Sequence, residues 1–381
     1  MNDPTAPLPQ PDAETLLATF LEMVRIDSPS GEEAAFRAYL IQRFNALNLP
    51  HQTDAEGNLI VEIPPWGCAH QKILVLSGHM DVVPPCLGVQ PQVTPLLHGD
   101  RLITSDQTTV LGADDKAGLA PILESVIFSL QNHLRRPPLR LVFTTREETS
   151  LAGAKGLSDE ALCADFAITL DHTGEQGTII HEAPTYISFE VTCYGKSVHA
   201  GIMPEQGVNA IVFAAKVIEQ LELGRLDADT TCNIGFWQGG KATNIVPDCA
   251  TLQGELRGHN TERLQQVLAE IEARLAEVSA QMPGTRYDFT HEISFVGYQM
   301  AAAHPGMQKI MQAARKTGLN PQLIRTNGGS DNNVFVARGL PGVVLSAGYE
   351  HPHTLKEQVR LSDIQTCARF LLNAFEVFAD D

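Results

Sequence analysis

The sequence predicts an α/β protein with a mostly parallel central sheet, into which a smaller α+β domain of ferredoxin-like order is inserted. The chain has 381 residues, more than one ordinary hydrophobic core accommodates. Apolar strands alternate with helical stripes at both ends of the chain, whereas the middle begins with a strand of alternating polarity. We therefore expect residues 1–184 and 296–381 to form one discontinuous domain and residues 185–295 to form the insert.

The first segment alternates between helices and strands. Apolar residues at Leu16, Leu17, Phe20 and Val24 repeat with helical period, whereas apolar runs such as LRLVFT are short enough for buried strands. The predicted helices are Asp12–Ile26, Glu32–Leu47 and Lys116–Leu130, and the predicted strands are Asn58–Ile63, Lys72–Ser77, Leu139–Thr144 and Phe166–Leu170. This order favours parallel βαβ units with helices on both faces of the sheet.

The pattern changes after Ala183 and changes back after Gly297. The predicted insert is a strand Tyr186–Tyr194, a helix Gly207–Leu221, strands near Thr231–Trp237 and Thr251–Arg257, a helix Thr261–Ala280 and a strand Arg286–Phe295. That β-α-β-β-α-β order is the ferredoxin-like arrangement with an antiparallel sheet. The α/β pattern then resumes with a helix Pro305–Thr317, a strand Gly342–Ser346 and a helix Leu361–Phe378.

The charge balance bears on possible partners. Lys and Arg number 27 against 45 Asp and Glu, a formal net charge of −18, which opposes binding to nucleic acid or anionic membranes. No apolar run approaches the ~20 residues of a membrane span, and the first residues lack the order of a signal peptide. The seven cysteines are scattered and form no C-x-x-C pair, which favours reduced thiols. We expect a cytoplasmic protein.

Polar side chains follow several predicted strands or precede a helix. They are His79 and Asp81, Asp114 and Asp115, Glu147 and Glu148, Asp171 and His172, and His351 and His353. Taken alone, an Asp before a helix is usually an N-cap, paired glutamates are usually a solvated turn, and H-x-H is commonly surface. Ligands of parallel sheets bind beyond the carboxyl ends of the strands, however, so these residues are expected at one edge. Together they predict a metal site.

The ligand types favour zinc. Imidazole and carboxylate without thiolate suit Zn²⁺, with Co²⁺ or Mn²⁺ as possible substitutes. Two histidines and three carboxylates are too many for one tetrahedral ion and suit two, with one carboxylate shared and a hydroxide held between ions roughly 3.5–4 Å apart. The adjacent Glu147 and Glu148 offer a candidate base beside a candidate ligand.

Other hydrolytic chemistries lack their residues. The sequence contains no G-x-S-x-G element for a serine hydrolase. Neither His181-Glu182 nor His291-Glu292 continues to H-E-x-x-H, which excludes a helical single-zinc protease site. Gly195-Lys196-Ser197 resembles the end of a phosphate-binding loop, but Glu190 stands where the leading glycine belongs.

Five ordered motifs resemble those of the dinuclear zinc peptidase superfamily, which includes peptidase T, the glutamate carboxypeptidases and the aminoacylases. They are G-H-x-D, GADDKAG, E-E, L-D and a histidine before K-E, and the resemblance covers about Asp12 to Phe378. GADDKAG, EETSLAGAKGL and LDHTGEQGTIIHEAP are most similar to the peptidase T-like branch. The resemblance implies a zinc-exopeptidase-like catalytic domain and, for residues 185–295, a lid and dimerisation domain.

The resemblance also implies roles for the residues of the metal site. His79 and Asp171 would bind one metal, Glu148 and His353 would bind the second, and Asp114 would bridge both. Asp81 would orient His79. Glu147 would be the general base that activates the bridging hydroxide and then protonates the leaving amine.

Further roles are implied for substrate binding. His199 in SVHAG matches a lid histidine that stabilises the oxyanion, and Asn244 and Arg257 match positions that hold a substrate carboxylate. Ser330 in Gly328–Asp331 would contact substrate, although G-G-S is also ordinary turn chemistry. His172, His351 and Arg146 depart from the family pattern beside the site.

The expected function is removal of the N-terminal residue from short peptides, most specifically tripeptides. A carboxypeptidase or an N-acyl amino acid deacylase of the same superfamily is the alternative, and a non-catalytic peptide-binding protein is a more remote one. The expected cofactors are two Zn²⁺ ions per subunit, and the expected partners are a peptide substrate and a second copy bound through the lid.

Overall fold

The computed structural model describes Pro9–Asp380 of the chain. The helices of this range are α1 (Ala13–Val24), α2 (Ala34–Asn45), α3 (Ala113–Gln131), α4 (Ala152–Lys155), α5 (Asp159–Leu162), α6 (Ala210–Gln220), α7 (Thr261–Gln281), α8 (Pro305–Lys316), α9 (Asp331–Ala337) and α10 (Leu361–Ala379). Its strands are β1 (His51–Thr53), β2 (Leu59–Ile63), β3 (Leu74–His79), β4 (Gln92–Pro95), β5 (Arg101–Thr104), β6 (Leu139–Thr144), β7 (Phe166–His172), β8 (Thr178–Ala183), β9 (Thr185–Tyr194), β10 (Gly224–Arg225), β11 (Thr230–Gly239), β12 (Cys249–Gly258), β13 (Arg286–Phe295), β14 (Tyr298–Gln299), β15 (Gln322–Arg325), β16 (Gly342–Ser346) and β17 (Gln358–Arg360).

The largest sheet has nine strands and is mostly parallel at its centre. Its order is β1-β2-β6-β3-β7-β16-β8-β14, with β15 paired to β8. Neighbours β6, β3, β7 and β16 all run parallel, whereas β1, β2 and β8 add antiparallel pairs. The predicted α/β class with a mostly parallel central sheet is confirmed.

Strand β3 lies in the middle of this sheet and is buried along its whole length. Helix α3 is also buried over most of its surface and packs against α1 and α10. A strand that is covered on both faces does not alternate between polar and apolar residues. LVLSGH accordingly carries no ionisable side chain before its last residue, His79.

The antiparallel sheet of five strands has the order β10-β11-β12-β9-β13. Side chains of β9 are alternately buried and partly exposed, because one face of the sheet packs against α6 and α7. Ile187, Phe189 and Val191 lie on the buried face with helix residues such as Phe213 and Leu268. The order of β9, α6, β11, β12, α7 and β13 confirms the predicted ferredoxin-like fold.

The chain divides into two compact units. The first comprises the residues up to Glu182, Gln299–Arg325 and the residues from Ser330 onward, and the second comprises Ala183–Tyr298 and Thr326–Gly329. The predicted insert, residues 185–295, lies within the second unit. Thr326–Gly329 groups with that unit as well, and there Arg257 Nη1 donates to the carbonyl of Asn327 at 3.3 Å.

Some elements lie outside the sequence predictions. The elements that were not predicted are strands β1, β4, β5, β8, β10, β14, β15 and β17 and helices α4, α5 and α9. Strand β7 runs to His172, two residues past the predicted end at Leu170. All seven cysteines are free thiols, as predicted. No helix within Pro9–Asp380 combines the length and the apolar character needed to cross a bilayer.

Candidate metal centre

Four neighbouring parallel strands deliver the polar residues to one edge of the sheet. His79 ends β3, Asp171 lies near the end of β7, Glu147 and Glu148 follow β6, and His353 lies in the segment after β16. Because β6, β3, β7 and β16 are adjacent and parallel, their carboxyl ends lie side by side. Asp114 joins them from the start of α3.

One group of donors surrounds the imidazole of His79. Its Nε2 lies 3.0 Å from Oδ1 of Asp114 and 3.7 Å from Oδ1 of Asp171. His79 is buried, and the side chains of Asp114 and Asp171 are only 12% and 9% exposed. This group contains the three residues expected at the first metal.

A second group surrounds the imidazole of His353. Its Nε2 lies 2.9 Å from Oε1 of Glu148 and 3.3 Å from Oδ2 of Asp114. Asp114 therefore belongs to both groups and presents a different oxygen to each. That division matches the bridging position expected for Asp114.

The donor set fits two divalent cations. His79, Asp114 and Asp171 form one cluster whose ligand atoms all lie within 4.8 Å of one another, and Asp114, Glu148 and His353 form another. Nitrogen and oxygen donors without a thiolate suit zinc and its substitutes. Several largely buried carboxylates repel one another unless positive charge lies between them, which is the charge that cations supply.

The protonation equilibria reflect this crowding of charge. Hydrogen bonds to Asp114 and Glu148 raise the pKa of His353 to about 10. Burial alone would lower the pKa of His79, but hydrogen bonds to its carboxylate neighbours hold that pKa well above its ordinary value. Burial raises the pKa of Asp171 to about 6. Cations binding to these donors must displace protons from them.

Asp114 is not a helix cap. The residue before α3 is Gly112, which has a φ of 76°, and no side chain caps the start of the helix. Asp114 itself has a non-helical ψ of 103°. Instead, the Glu357 carboxylate accepts hydrogen bonds from the backbone N–H of Gly112 at 2.7 Å and of Asp114 at 2.8 Å. The N-cap alternative for Asp114 is therefore wrong, because its carboxylate faces the two imidazoles.

Asp81 connects His79 to the turn that carries the paired glutamates. Nδ1 of His79 lies 3.0 Å from the backbone carbonyl of Asp81 and 3.4 Å from its carboxylate. That carboxylate accepts hydrogen bonds from the backbone N–H of Glu147 at 2.9 Å and of Glu148 at 3.2 Å. It also accepts one from the Ser30 hydroxyl at 2.7 Å. Asp81 thus holds both the histidine and the glutamate turn.

Glu147 lies beside the ligand cluster and is partly buried. It offers an oxygen within 4.8 Å of donors of His79 and Glu148. Burial and the charge of Asp171 raise its pKa well above the ordinary value. A raised pKa suits a carboxylate that accepts a proton and later returns it.

The predicted lid residues lie in the second unit. His199 and Asn244 are exposed on neighbouring backbone segments, and the carbonyl of Asn244 accepts the N–H of Ala200 at 2.9 Å. Arg257 lies on β12, where its guanidinium binds Glu255. These positions leave the substrate roles of all three as predictions.

Ser330 lies in the first unit and is buried at the start of α9, with its side chain 4% exposed. Its backbone N–H donates to Oδ1 of Asn333 at 3.1 Å. The position is a helix N-terminus rather than an open loop. A contact between Ser330 and substrate stays a prediction.

The three departures from the family pattern have different surroundings. His172 is partly buried, its Nδ1 lies 3.3 Å from the Thr173 hydroxyl, and burial lowers its pKa. Arg146 pairs with Glu56. His351 is exposed. The histidine that lies with Asp114 and Glu148 is His353, the one predicted as the ligand.

Residue-by-residue sequence reasoning missed two supporting residues. Glu357 is 1% exposed and Tyr349 is 2% exposed. The Tyr349 hydroxyl lies 3.2 Å from Oδ1 of Asp114 and 3.2 Å from Oδ1 of Asp171. Both residues occur in the AGYEHPHTLKE segment. Their position close to the predicted ligand His353 was the sequence feature that could have indicated a role at the site.

Comparisons with known proteins find similar proteins that include peptidases. A family model described as a peptidase dimerisation domain matches residues 182–283, and one described as peptidase family M28 matches residues 58–202. The protein YqjE of Bacillus subtilis is 34% identical over 95% of this chain and 97% of its own length. A tripeptidase from Staphylococcus aureus has a TM-score of 0.90 and 34% identity, covering 98% of this chain and 100% of that chain. Aminopeptidase PepT from Bacillus cereus has a TM-score of 0.85 and 33% identity, covering 97% and 99%.

Proposed function

Because this chain belongs to the dinuclear zinc peptidase superfamily and is peptidase T-like, we propose that it is a metal-dependent exopeptidase that removes the N-terminal residue from tripeptides. The observation that carries this proposal is the pair of donor groups that share Asp114, with Glu147 beside them. His79, Asp114 and Asp171 would hold one cation, and Asp114, Glu148 and His353 would hold the other.

Two divalent cations in these positions would supply Lewis acidity, which polarises a carbonyl group and lowers the pKa of bound water. Glu147 would accept the proton of the attacking water and donate it to the departing amine. Asp81 would keep the glutamate turn and His79 in place through the hydrogen bonds described above.

Residues of the second unit would bind substrate. Arg257 would take the C-terminal carboxylate of a tripeptide, since a guanidinium binds a carboxylate through two parallel hydrogen bonds. Asn244 would assist it, and the exposed His199 would stabilise the developing oxyanion. Ser330 would contact the peptide only after its side chain becomes accessible.

The relatives support the aminopeptidase over the other hydrolases. The similar proteins include a tripeptidase and an aminopeptidase, each matched over nearly its full length. A carboxypeptidase or deacylase would use the same donors but would not require a free α-amine. A peptide-binding protein without turnover would have no use for Glu147 beside the cation donors.

We propose a homodimer formed through the insert. The match to a peptidase dimerisation domain supports it. Strand β10 pairs only with Thr231 and Cys232, so the outer edge of β11 beyond Ile234 has no strand partner within Pro9–Asp380. Trp237 at that edge is 46% exposed, and an apolar unpaired strand edge is prone to pair with another chain. Zinc as the native metal, a cytoplasmic location and the absence of nucleic-acid or membrane partners stay predictions.

The test uses zinc-loaded protein and one tripeptide in free, N-acetylated and C-amidated forms, with products identified by mass spectrometry. We expect the free and amidated peptides to lose their first residue and the acetylated peptide to stay intact. Cleavage of the acetylated form would assign the protein to the deacylase or carboxypeptidase branch. Two bound cations with no cleavage of any form would favour a binding protein.

A further inference from the structure

Tyr349 is placed against the candidate metal centre but is neither a predicted ligand nor a predicted base. It lies in the segment that follows β16, and its side chain is almost completely buried, at 2% exposure. Its hydroxyl lies 3.2 Å from one oxygen of Asp114 and 3.2 Å from one oxygen of Asp171. A single phenol O–H is thus shared between two carboxylates that would ligate the same cation.

The contact is confined to one of the two donor groups. The Asp114 oxygen that Tyr349 reaches is Oδ1, which lies 3.0 Å from Nε2 of His79. The other oxygen, Oδ2, lies 3.3 Å from Nε2 of His353. Within Pro9–Asp380, the two hydrogen bonds found for the Tyr349 hydroxyl both end on carboxylate oxygens that face His79.

We propose that Tyr349 is a positioning residue that sets the affinity of the cation position formed by His79, Asp114 and Asp171 and leaves the His353 position unchanged. The inference rests on the two-cation site of the proposed function. Hydrogen bonds to ligating carboxylates fix their orientation, and loss of such a partner typically weakens metal binding 10–100-fold. Removal of the hydroxyl takes one hydrogen-bond donor away from two carboxylate oxygens, and the loss is costly because the contact is buried.

Glu357 provides the comparison, because it supports Asp114 in another way. Its carboxylate accepts the backbone N–H groups of Gly112 and Asp114, so it holds the main chain rather than one side-chain oxygen. Asp114 serves both donor groups. Glu357→Gln replaces one accepting oxygen by a donor and is therefore expected to weaken both cation positions.

The experiment measures metal binding rather than turnover. Metal-free wild-type protein, Tyr349→Phe and Glu357→Gln are titrated with Co²⁺ and followed by calorimetry and visible absorption. The same titration of His353→Ala and of His353→Ala with Tyr349→Phe isolates the His79 position, since the His353 side chain is 51% exposed and its removal should leave the fold intact. Tyr39→Phe is the matched control, because its hydroxyl bonds Glu22 away from the site.

We expect two bound cations in the wild type and a 10–100-fold weaker single step in Tyr349→Phe, with the other step unchanged. The same 10–100-fold loss is expected in the His353→Ala background, and Tyr39→Phe should match the wild type. Equal weakening of both steps, or no change in either, would overturn the inference. Fewer than two cations on the wild-type protein would overturn the two-cation site itself, which distinguishes the failure of the proposed function from failure of the role of Tyr349.

Discussion

Arg257 already binds a carboxylate of its own chain, that of Glu255. Nε lies 3.1 Å from Oε1 and Nη2 lies 3.1 Å from Oε2, a two-pronged pair between residues two positions apart on one face of β12. The guanidinium also lies over the ring of Tyr186, 4.7 Å from its centre. A substrate carboxylate that binds Arg257 must therefore compete with Glu255.

Glu255→Gln is expected to lower KM for a tripeptide with a free C-terminus about 3–10-fold, because a neutral amide competes less well for the guanidinium. KM for the C-amidated peptide should stay the same. Glu190→Gln is the control, because the Glu190 carboxylate accepts a hydrogen bond from Gln253 on the neighbouring strand rather than from Arg257. A higher KM for the free peptide in Glu255→Gln would mean that Glu255 orients Arg257 instead.

Glu147→Gln is expected to lower kcat about 100-fold or more, because an amide can neither accept nor return the proton. Both cations should remain bound, as measured by metal analysis of the dialysed protein. Glu148→Gln is the comparison, since it replaces an anionic donor of the His353 group by a neutral amide and should lower the metal content. Full activity in Glu147→Gln would assign the base to another residue.

Glu124 tests a buried ion pair away from the site. It is 4% exposed and accepts hydrogen bonds from Nη2 of Arg43 and from the Thr19 hydroxyl, each at 2.6 Å. Glu124→Gln should lower the free energy of unfolding by about 1–3 kcal/mol, because it removes the buried anion of the pair and leaves the guanidinium only the more exposed Glu22 carboxylate at 3.8 Å. The exposed pair of Lys316 and Glu376 offers the control, and Glu376→Gln should cost under about 1 kcal/mol. Urea titration measures both, and equal effects would contradict the prediction.

The raised pKa of Asp363 predicts that stability depends on pH. It lies in the first turn of α10, and burial together with the charge of Asp100 raises its pKa to about 6. An acid with a raised pKa in the folded state binds its proton more tightly there, so stability is lost as pH rises from about 4 through 6. Asp363→Asn should therefore raise the free energy of unfolding at pH 8 by on the order of 1 kcal/mol after screening by solvent, and urea titration should show a gain that shrinks toward pH 4. A gain that is the same at every pH would contradict this origin.

Trp237 tests the proposed dimer. Trp237→Glu places a charge on the unpaired edge of β11 and should convert the dimer to a monomer in light scattering after gel filtration. Leu97→Glu changes a residue of the first unit that is 83% exposed and should leave the assembly unchanged. A wild-type protein that is monomeric at micromolar concentration would contradict the proposed dimer.

The sequence predicted the order of the main helices and strands and named residues that the structure brings into two donor groups. Short apolar runs and helical stripes predicted the central strands because burial on two faces leaves a strong pattern. Polar residues that follow those strands placed His79, Glu148, Asp171 and His353 among the candidates, since parallel strands end at a common edge, and the family resemblance selected these four as ligands. Strands β8 and β15 were missed because four to six partly exposed residues carry little periodicity.

Only the tertiary structure decided how those residues meet. The hydroxyl of Tyr349 reaches Asp114 across 235 positions of sequence, and Glu357 holds the Asp114 backbone across 243. No local pattern predicts such contacts, because they depend on which strands are neighbours and on where each side chain points once the core is packed. The family resemblance predicted that Asp114 would be shared by two cations, whereas the fold alone decided which of its oxygens faces His79 and which faces His353.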